Sequence, residues 1–196
     1  MPFSFPGIAA DVRRLGGLLA LGLRAAEWQP PEKAAVLNLA CGRADETGVL
    51  LDAVAPLATE LFYLGIDLRP PEIAEAKARW IPNAPLGWQL DFRARDASRT
   101  DRMKQLPPFD FIFIRHQNYW HDQAVWEVLF RNALDGLTPG GLLAITSYFD
   151  REHELTMACL AQCGARKLAD LRHPHSRPLD DAPNKSVDRR LAVFAR

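Results

Sequence analysis

The feature that most constrains this chain is the alternation of short apolar runs with amphipathic segments from residue 34 onward. Runs such as "FIFI" and "LLAI" are apolar on both faces, as is typical of strands covered by helices on both sides. Strands that are joined by helices lie parallel in one sheet, because a parallel connection needs a long crossover. The pattern predicts an α/β fold, a doubly wound, mostly parallel sheet with helices on both faces. The predicted strands are "AVLNL", "LFYLGIDL", "WQLDFRARD", "FDFIFIR" and "GGLLAITSYF".

The C-terminal part of the chain departs from this alternation. The runs "ARKLADLRH" and "RRLAVFAR" have no helical segment between them. They are expected to pair as an antiparallel hairpin at the sheet edge, which completes seven strands. The connecting segment, residues 174–188, is long and polar, and loops of that length are often functional or mobile.

The N-terminal part is predicted to form a packed helix, since leucines 15, 18, 19 and 23 share one helical face. The alternative is the apolar core of a signal peptide, because the stretch follows Arg13 and Arg14. In a chain of 196 residues we expect one domain, with a helical extension and linker over 1–33 and a core over 34–196. No run is long enough to span a bilayer, so we expect a cytoplasmic protein.

Charge and cysteine content narrow the classes of function. Lys plus Arg and Asp plus Glu both number 24, so the chain has no global attraction for nucleic acid or an anionic membrane. Neither is an expected partner. The three cysteines form no disulfide framework, and Cys159 and Cys163 lie on one predicted helix without a second ligand pair. We therefore predict no metal site.

The stretch "VLNLACGRADE", residues 36–46, has the pattern of a ligand-binding loop between a strand and a helix. A dinucleotide loop needs glycine at positions i, i+2 and i+5, which here are Ala40, Gly42 and Asp45, and the last is the misfit. Its carboxylate would repel a pyrophosphate at the helix start. At i, i+2 and i+4 the residues are Ala40, Gly42 and Ala44, which are all small.

That spacing resembles the first motif of the Rossmann-like S-adenosylmethionine-dependent methyltransferases, Asp-x-Gly-x-Gly-x-Gly. Their ligand has no phosphate and has a cationic sulfonium and ammonium, which tolerate a nearby acid. The resemblance continues in "LGIDL", which ends in Asp67, in "ARDAS" with Asp96, and in "FDFIFIR". The segment "LDGLTPGGLLAIT" resembles the Leu-x-Pro-Gly-Gly turn of the same family.

The resemblance implies S-adenosylmethionine as cofactor, with Asp67 on the ribose hydroxyls and Asp96 on the adenine amino group. Two departures mark the first motif: Asn38 replaces the usual acid, and Ala40 and Ala44 replace glycines. The residues expected to bind the cofactor are Asn38, Ala40, Cys41, Gly42, Asp67, Leu68, Asp96, Ala97 and Arg115.

The segment "RHQNYWHD", residues 115–122, follows the fourth strand, and in the family this position faces the methyl group and the acceptor. We predict His116 as base or acceptor ligand, because imidazole exchanges protons near neutral pH. Asn118 is expected to orient the acceptor, and Tyr119 and Trp120 to form aromatic walls.

Structural alternatives stand beside these roles. Tyr119 and Trp120 are equally expected to pack against the next helix, and His121 with Asp122 to cap it. Three polar residues of the long tail loop either line an acceptor pocket or are simply solvated: His173, His175 and Arg177.

The sequence therefore predicts a methyltransferase that acts on a small molecule. The alternatives are a non-catalytic binding protein with the same fold and an RNA methyltransferase, against which the neutral charge counts. A nicotinamide enzyme is disfavoured by Asp45. The motifs specify neither the acceptor nor an oligomeric state.

Overall fold

The structure, a computed structural model, describes residues 7–103 and 105–196. The helices are α1 (Ile8–Ala25), α2 (Thr47–Val54), α3 (Pro70–Trp80), α4 (Gln123–Asp135) and α5 (Asp150–Gln162). The strands are β1 (Lys33–Leu39), β2 (Glu60–Asp67), β3 (Trp88–Ala94), β4 (Phe109–Ile114), β5 (Leu137–Ser147), β6 (Arg166–Arg172) and β7 (Arg190–Ala195). Short 3-10 helices span Ile81–Asn83 and Ala97–Arg102.

The strands form a seven-stranded sheet in the order β3-β2-β1-β4-β5-β7-β6. The first five strands are parallel, and β7 runs antiparallel to both β5 and β6. The predicted fold and its terminal hairpin are confirmed. The strand order reverses between β1 and β4, and ligands of open α/β sheets bind in the crevice outside the carboxyl ends at such a point.

Helices cover both faces of the sheet. On one face α1, α2 and α3 contribute buried residues such as Leu15, Leu50 and Ile73 to one core cluster. On the other face α4 and α5 contribute Phe130 and Leu160 to a second cluster. The N-terminal segment is a packed helix, as predicted. Within the described residues, no helix combines the length and apolar character needed to cross a membrane.

Some predicted element boundaries were wrong. The residue pattern after the loop predicts a helix from Ala44 to about Ala58, with Asp45 or a neighbour as its cap, yet α2 begins at Thr47 and ends at Val54. Ala44 adopts a left-handed backbone with φ 54°, which a right-handed helix excludes. Asp45, expected as the cap, instead forms an ion pair with Arg79 at 2.5 Å. The predicted cap of α4 is confirmed, because the Asp122 carboxylate accepts a hydrogen bond from the Val125 N–H at 3.3 Å.

Candidate functional site

The loop between β1 and α2 turns through three left-handed residues. Ala40, Gly42 and Ala44 have φ values of 55°, 55° and 54°, so every second residue adopts the conformation that favours glycine. They are the three positions that the spacing marked as small. An L-residue in this conformation costs about 1 kcal/mol or more. The Ala44 carbonyl accepts a hydrogen bond from Trp80 Nε1 at 2.9 Å, so packing against α3 holds the strained turn.

Asp67, at the end of β2, faces this loop. Its Oδ2 accepts a hydrogen bond from the Gly42 N–H at 2.7 Å, and its Oδ1 accepts one from Arg69 Nε at 3.0 Å. Burial raises the pKa of Asp67, but the hydrogen bonds from Arg69 and Gly42 outweigh burial and lower it overall. The carboxylate is therefore ionised near neutral pH. The Arg69 side chain is 60% exposed and lies over Gly42, where an added methyl would be 3.1 Å from Nη2.

Asn38 stands where the family usually has an acid, but a buried acid, Glu46, lies eight residues later in the chain and contacts it. Asn38 is fully buried, and its Nδ2 donates to Glu46 Oε1 at 2.6 Å and to Tyr63 Oη at 3.0 Å. The Tyr63 hydroxyl also bonds Thr47 Oγ1 at 2.8 Å. Glu46 is only 3% exposed, and it lines the cavity at the loop. A buried carboxylate therefore stands next to the amide that replaced the usual acid.

A second buried carboxylate, Asp188, ties the tail loop to the end of β4. Asp188 is 1% exposed and accepts hydrogen bonds from Arg115 Nε at 3.1 Å and Nη2 at 2.6 Å. Thr146 Oγ1 donates to the same carboxylate at 2.9 Å. Burial raises the pKa of Asp188, yet nearby His116 and Arg115 hold it below its usual range. Arg115 Nη1 also lies 3.6 Å from Glu46 Oε2, so one guanidinium bridges both acids.

His116 is held from three sides. Its backbone is left-handed with φ 56°, its N–H donates to Thr146 Oγ1 at 3.0 Å, and its ring stacks on Tyr148 with centroids 3.8 Å apart. Nε2 lies 2.8 Å from Asp188 Oδ1 and accepts a hydrogen bond from the Asp188 N–H at 3.1 Å. The carboxylate contact calls for a proton on Nε2 and the backbone N–H calls for a lone pair there, so the two contacts with Asp188 favour opposite tautomers. Nδ1 forms no hydrogen bond with any residue that the structure describes.

These groups surround a cavity of about 450 Å³ at the carboxyl ends of the strands, where the strand order reverses. It is lined by Ala40, Cys41, Gly42, Arg43, Asp45, Glu46, Arg69, Glu72, Arg115, His116 and Tyr148. With the adjoining Asp67 and Asp188, the carboxylates outnumber the guanidinium groups. An excess of buried negative charge fits a ligand with a sulfonium and an ammonium, and it opposes a pyrophosphate.

The structure brings some of the predicted site residues together and leaves others apart. One cavity is lined by Ala40, Cys41, Gly42, Arg115 and His116. Asn38 does not line it but contacts Glu46, which does. Burial raises the pKa of the Cys41 thiol, so this residue is a neutral lining group and no nucleophile.

Three further residues expected to bind the cofactor, Leu68, Asp96 and Ala97, lie outside this cavity, after the ends of β2 and β3. Leu68 is 71% exposed. Asp96 caps the short helix that begins at Ala97, since its Oδ1 accepts hydrogen bonds from Ser98 N at 3.0 Å and Ser98 Oγ at 2.7 Å. The neighbouring β2 and β3 thus present an exposed leucine and an acid at the same sheet edge.

The aromatic residues after β4 divide between core and rim. Tyr119 stacks on Phe130 with centroids 6.1 Å apart, which places it against α4. Trp120 is 38% exposed, and its ring centroid lies 4.9 Å from that of Phe149, in the segments that follow β4 and β5. Asn118 is exposed, and its Oδ1 bonds His121 Nδ1 at 2.8 Å.

Sequence reasoning missed Glu46, Tyr148 and Asp188. Asp188 ends the long tail loop that was singled out for its length, but the sequence does not show which strand end it reaches. The antiparallel insertion of β7 beside β5 brings it to His116, 72 residues away. Glu46 follows Asp45 directly, so only its burial distinguishes it from that neighbour.

A protein family described as methyltransferase domain matches residues 36–141, more than half of the chain. The chain belongs to this family. It is an S-adenosylmethionine-dependent methyltransferase domain, and membership implies use of that cofactor and of a methyl acceptor. No curated protein sequence matches the chain.

Solved structures with the same fold cover nearly the whole chain. The N-methyltransferase NodS from Bradyrhizobium japonicum is 18% identical over 96% of both chains, with a TM-score of 0.64. A S-adenosylmethionine-dependent methyltransferase from Clostridium acetobutylicum is 12% identical over 93% of this chain and 91% of its own, with a TM-score of 0.68. The PH0226 protein from Pyrococcus horikoshii is 14% identical over 100% and 93%, with a TM-score of 0.66. At such identities the likeness shows the fold alone.

Proposed function

We propose that this protein transfers a methyl group from S-adenosylmethionine to a small-molecule acceptor, with the cofactor in the cavity beside Gly42. One observation supports this most: an acid-rich cavity lies where the strand order reverses, against a loop with three left-handed residues. The cofactor supplies an activated methyl group. The residues then have to bind it, orient the acceptor and exclude water.

The cofactor side is assigned from the contacts. Asp67 is ionised and lies beside the Gly42 N–H, so it is proposed to accept from the two ribose hydroxyls. Glu46 is proposed to receive the ammonium, since a buried carboxylate gains most from a cationic partner. Asn38 positions Glu46 through its 2.6 Å hydrogen bond. The adenine is proposed to lie along Leu68, Asp96 and Ala97.

The acceptor side is proposed to begin at His116. In the tautomer that donates Nε2–H to Asp188 Oδ1, Nδ1 is proposed to take a proton from the acceptor as the methyl group is transferred. Trp120 and Phe149 form an aromatic rim nearby. The packing of Tyr119 on Phe130 supports a structural role for that residue, and Asn118 is proposed only to orient the acceptor from the rim.

A small-molecule acceptor is preferred over RNA because the formal net charge is zero. The other candidate is a non-catalytic binder, in which the strained loop holds the cofactor without turnover. Methyl transfer to small acids and amines, measured with labelled S-adenosylmethionine, separates an enzyme from a binder.

Calorimetric titration with S-adenosylhomocysteine tests the proposed cofactor site. Glu46→Gln keeps an oxygen for Asn38 but removes the charge, so affinity should fall about tenfold or more. The control is Glu60→Gln. Glu60 is an exposed acid at the start of β2, whereas the proposed site lies at the end of that strand, and it pairs with Lys33 at 2.8 Å. The control should bind as the wild type does. Equal affinity in Glu46→Gln would remove the ammonium assignment.

A further inference from the structure

Two neighbouring residues at the end of β5 hold two neighbouring residues of the segment that follows β4. The His116 N–H donates to Thr146 Oγ1 at 3.0 Å, and Gln117 Nε2 donates to Ser147 Oγ at 2.7 Å. Successive side chains of a strand point to opposite faces of the sheet, so the two contacts lie on opposite faces. Thr146 leads to Asp188, whereas Ser147 leads into the core that α5 covers. The segment that carries the proposed base is therefore held from both faces.

Gln117 is the inward-facing residue of this segment. Its side chain is fully buried, and its Oε1 accepts a hydrogen bond from the Tyr119 N–H at 3.1 Å. A backbone N–H can only donate, so the amide oxygen has to face Tyr119 and the amide nitrogen has to face Ser147. The Gln117 side chain thus closes the turn over residues 117–119 and ties it to β5.

Behind Ser147 the hydrogen bonds continue to His153 of α5 and Asp170 of β6. His153 Nδ1 lies 3.0 Å from Ser147 Oγ, and its Nε2 lies 3.2 Å from Asp170 Oδ1, which also accepts from Arg190 Nη2 at 2.9 Å. A carboxylate only accepts, so the hydrogen of the ring belongs on Nε2, and Nδ1 offers a lone pair. The Ser147 hydroxyl then accepts from Gln117 and donates to His153. One neutral tautomer of His153 satisfies every contact in the chain.

The surroundings of His153 favour this neutral form. Burial lowers its pKa, with help from nearby Arg190 and against the opposing charges of Asp170 and Asp150. A second proton on the ring would face the Ser147 hydroxyl, whose own hydrogen would then have no acceptor among the residues described. The hydrogen bonds therefore run in a single direction, from Gln117 to Asp170.

This set of residues resembles a hydrolytic triad in type but not in arrangement. In the triad the serine contacts Nε2 of the histidine and the acid contacts Nδ1, and here the two contacts are exchanged. Ser147 is also fully buried, so no substrate carbonyl can reach its oxygen. The arrangement orients other groups and does not itself react.

We propose that Gln117 is a positioning residue for methyl transfer, and that the buried chain of Ser147, His153 and Asp170 fixes its side chain. Gln117 directly follows the proposed base His116 and closes the turn at the acceptor side of the site. The inference rests on the proposed function, and it adds residues that act through the segment after β4 and not on the reacting atoms. A fixed segment keeps the base in reach of the acceptor without a new ordering cost at each turnover.

Amide hydrogen exchange of the full chain near neutral pH, followed by NMR, tests the chain of hydrogen bonds. His153→Phe keeps an aromatic ring but removes Nδ1, so the Tyr119 amide should exchange about tenfold faster than in the wild type. The amide of Phe113, at the centre of the sheet, reports global unfolding and should change less.

Two further variants separate positioning from packing, and a third is the control. Ser147→Ala removes the hydroxyl and should expose the Tyr119 amide to the same degree. His153→Asn places an amide oxygen near the position of Nδ1 and should restore most of the protection. The control is His175→Asn, an exposed histidine of the tail loop, which should exchange as the wild type does.

The tautomer of His153 gives a spectroscopic signature that packing alone would not set. Long-range proton–nitrogen spectra of the wild type near neutral pH should show a neutral ring with its hydrogen on Nε2. Three results would overturn the inference. They are a charged ring or a hydrogen on Nδ1, protection of Tyr119 that survives in either His153→Phe or Ser147→Ala, and acceleration that Phe113 shares equally.

A separate titration of the wild type with S-adenosylhomocysteine distinguishes this failure from failure of the proposed function. If the homocysteine compound binds and the exchange results fail, only the positioning chain is wrong. If the exchange results hold and the homocysteine compound does not bind, the proposed function fails, and the chain only stabilises the fold.

Discussion

His116 Nε2 lies 2.8 Å from Asp188 Oδ1, and these residues are 72 positions apart in the chain. Asp188 also accepts two hydrogen bonds from Arg115, so the end of the tail loop is bound to the end of β4 by charge. The same carboxylate therefore holds the fold together and sets the orientation of the proposed base.

Removing the charge of Asp188 should destabilise the protein markedly. Asp188→Asn leaves Arg115 buried with one weaker partner, and breaking a buried pair typically costs about 3–5 kcal/mol. The free energy of unfolding in urea measures the loss. Asp181→Asn is the control, because Asp181 is exposed on the same loop and pairs with Lys185. A loss below about 1 kcal/mol in Asp188→Asn would show that Glu46 alone neutralises Arg115.

The strained loop predicts a gain in stability on substitution by glycine. Ala40→Gly should stabilise the fold by about 1 kcal/mol, because glycine adopts a φ of 55° without strain. Ala44→Gly should gain less, since it also removes a fully buried methyl group. Neither change should weaken the binding of S-adenosylhomocysteine.

The control for the loop is Ala78→Gly in α3, where glycine should cost about 1 kcal/mol. Thermal and urea unfolding give all three values. If Ala40→Gly lost as much stability as Ala78→Gly, the left-handed conformation of the loop would be wrong.

Glu152 predicts a pH dependence of stability. It is 1% exposed, and burial raises its pKa from 4.5 to about 7 against an opposing hydrogen bond from the Tyr148 N–H. The pKa of Glu152 is higher in the folded protein than in the unfolded chain. The stability that protonated Glu152 contributes is therefore complete below about pH 4.5 and is lost as the pH rises to about 7, by up to about 3 kcal/mol.

Glu152→Gln has no carboxyl group to ionise and should not show this loss. Its free energy of unfolding should therefore rise relative to that of the wild type as the pH increases across this range. His153 acts in the opposite direction, since burial lowers its pKa, but it is present in both proteins and cancels in the difference. Urea unfolding at several pH values gives the two curves. Curves that stay parallel would exclude a buried, protonated Glu152.

Local patterns predicted much of the fold and part of the candidate site. The alternation of strands and helices follows from hydrophobic periodicity. The spacing of Ala40, Gly42 and Ala44 identified the loop because all three lie close together in the sequence. Asp67 was predictable because it ends a strand next to that loop.

The remaining site residues depend on tertiary placement. Asp188 reaches His116 only because β7 inserts beside β5, and no local pattern reports that distance. Tyr119 and Trp120 are adjacent in sequence, yet one packs on Phe130 and the other contacts Phe149. Which neighbour points inward depends on the path of the chain after β4, and residue type does not reveal it.

Arg69 is expected to compete with the cofactor. Its guanidinium binds Asp67 at 3.0 Å and covers Gly42, where the ribose is proposed to lie. Because the side chain is 60% exposed, the pair contributes at most about 1 kcal/mol, or roughly fivefold in affinity. Arg69→Ala should therefore bind S-adenosylhomocysteine up to fivefold more tightly in calorimetry. Weaker binding would show that Arg69 contacts the cofactor directly.

Calorimetric titration of S-adenosylhomocysteine into the wild type and Asp67→Ala tests the central claim most directly. The control is Asp91→Ala on β3, where the carboxylate pairs with Arg93 at 2.7 Å outside the cavity. The wild type and the control should bind alike. Asp67→Ala should lose about a hundredfold in affinity, or about 2.7 kcal/mol, while remaining folded. Unchanged affinity in Asp67→Ala, or no binding to the wild type, would contradict a cofactor site at this loop.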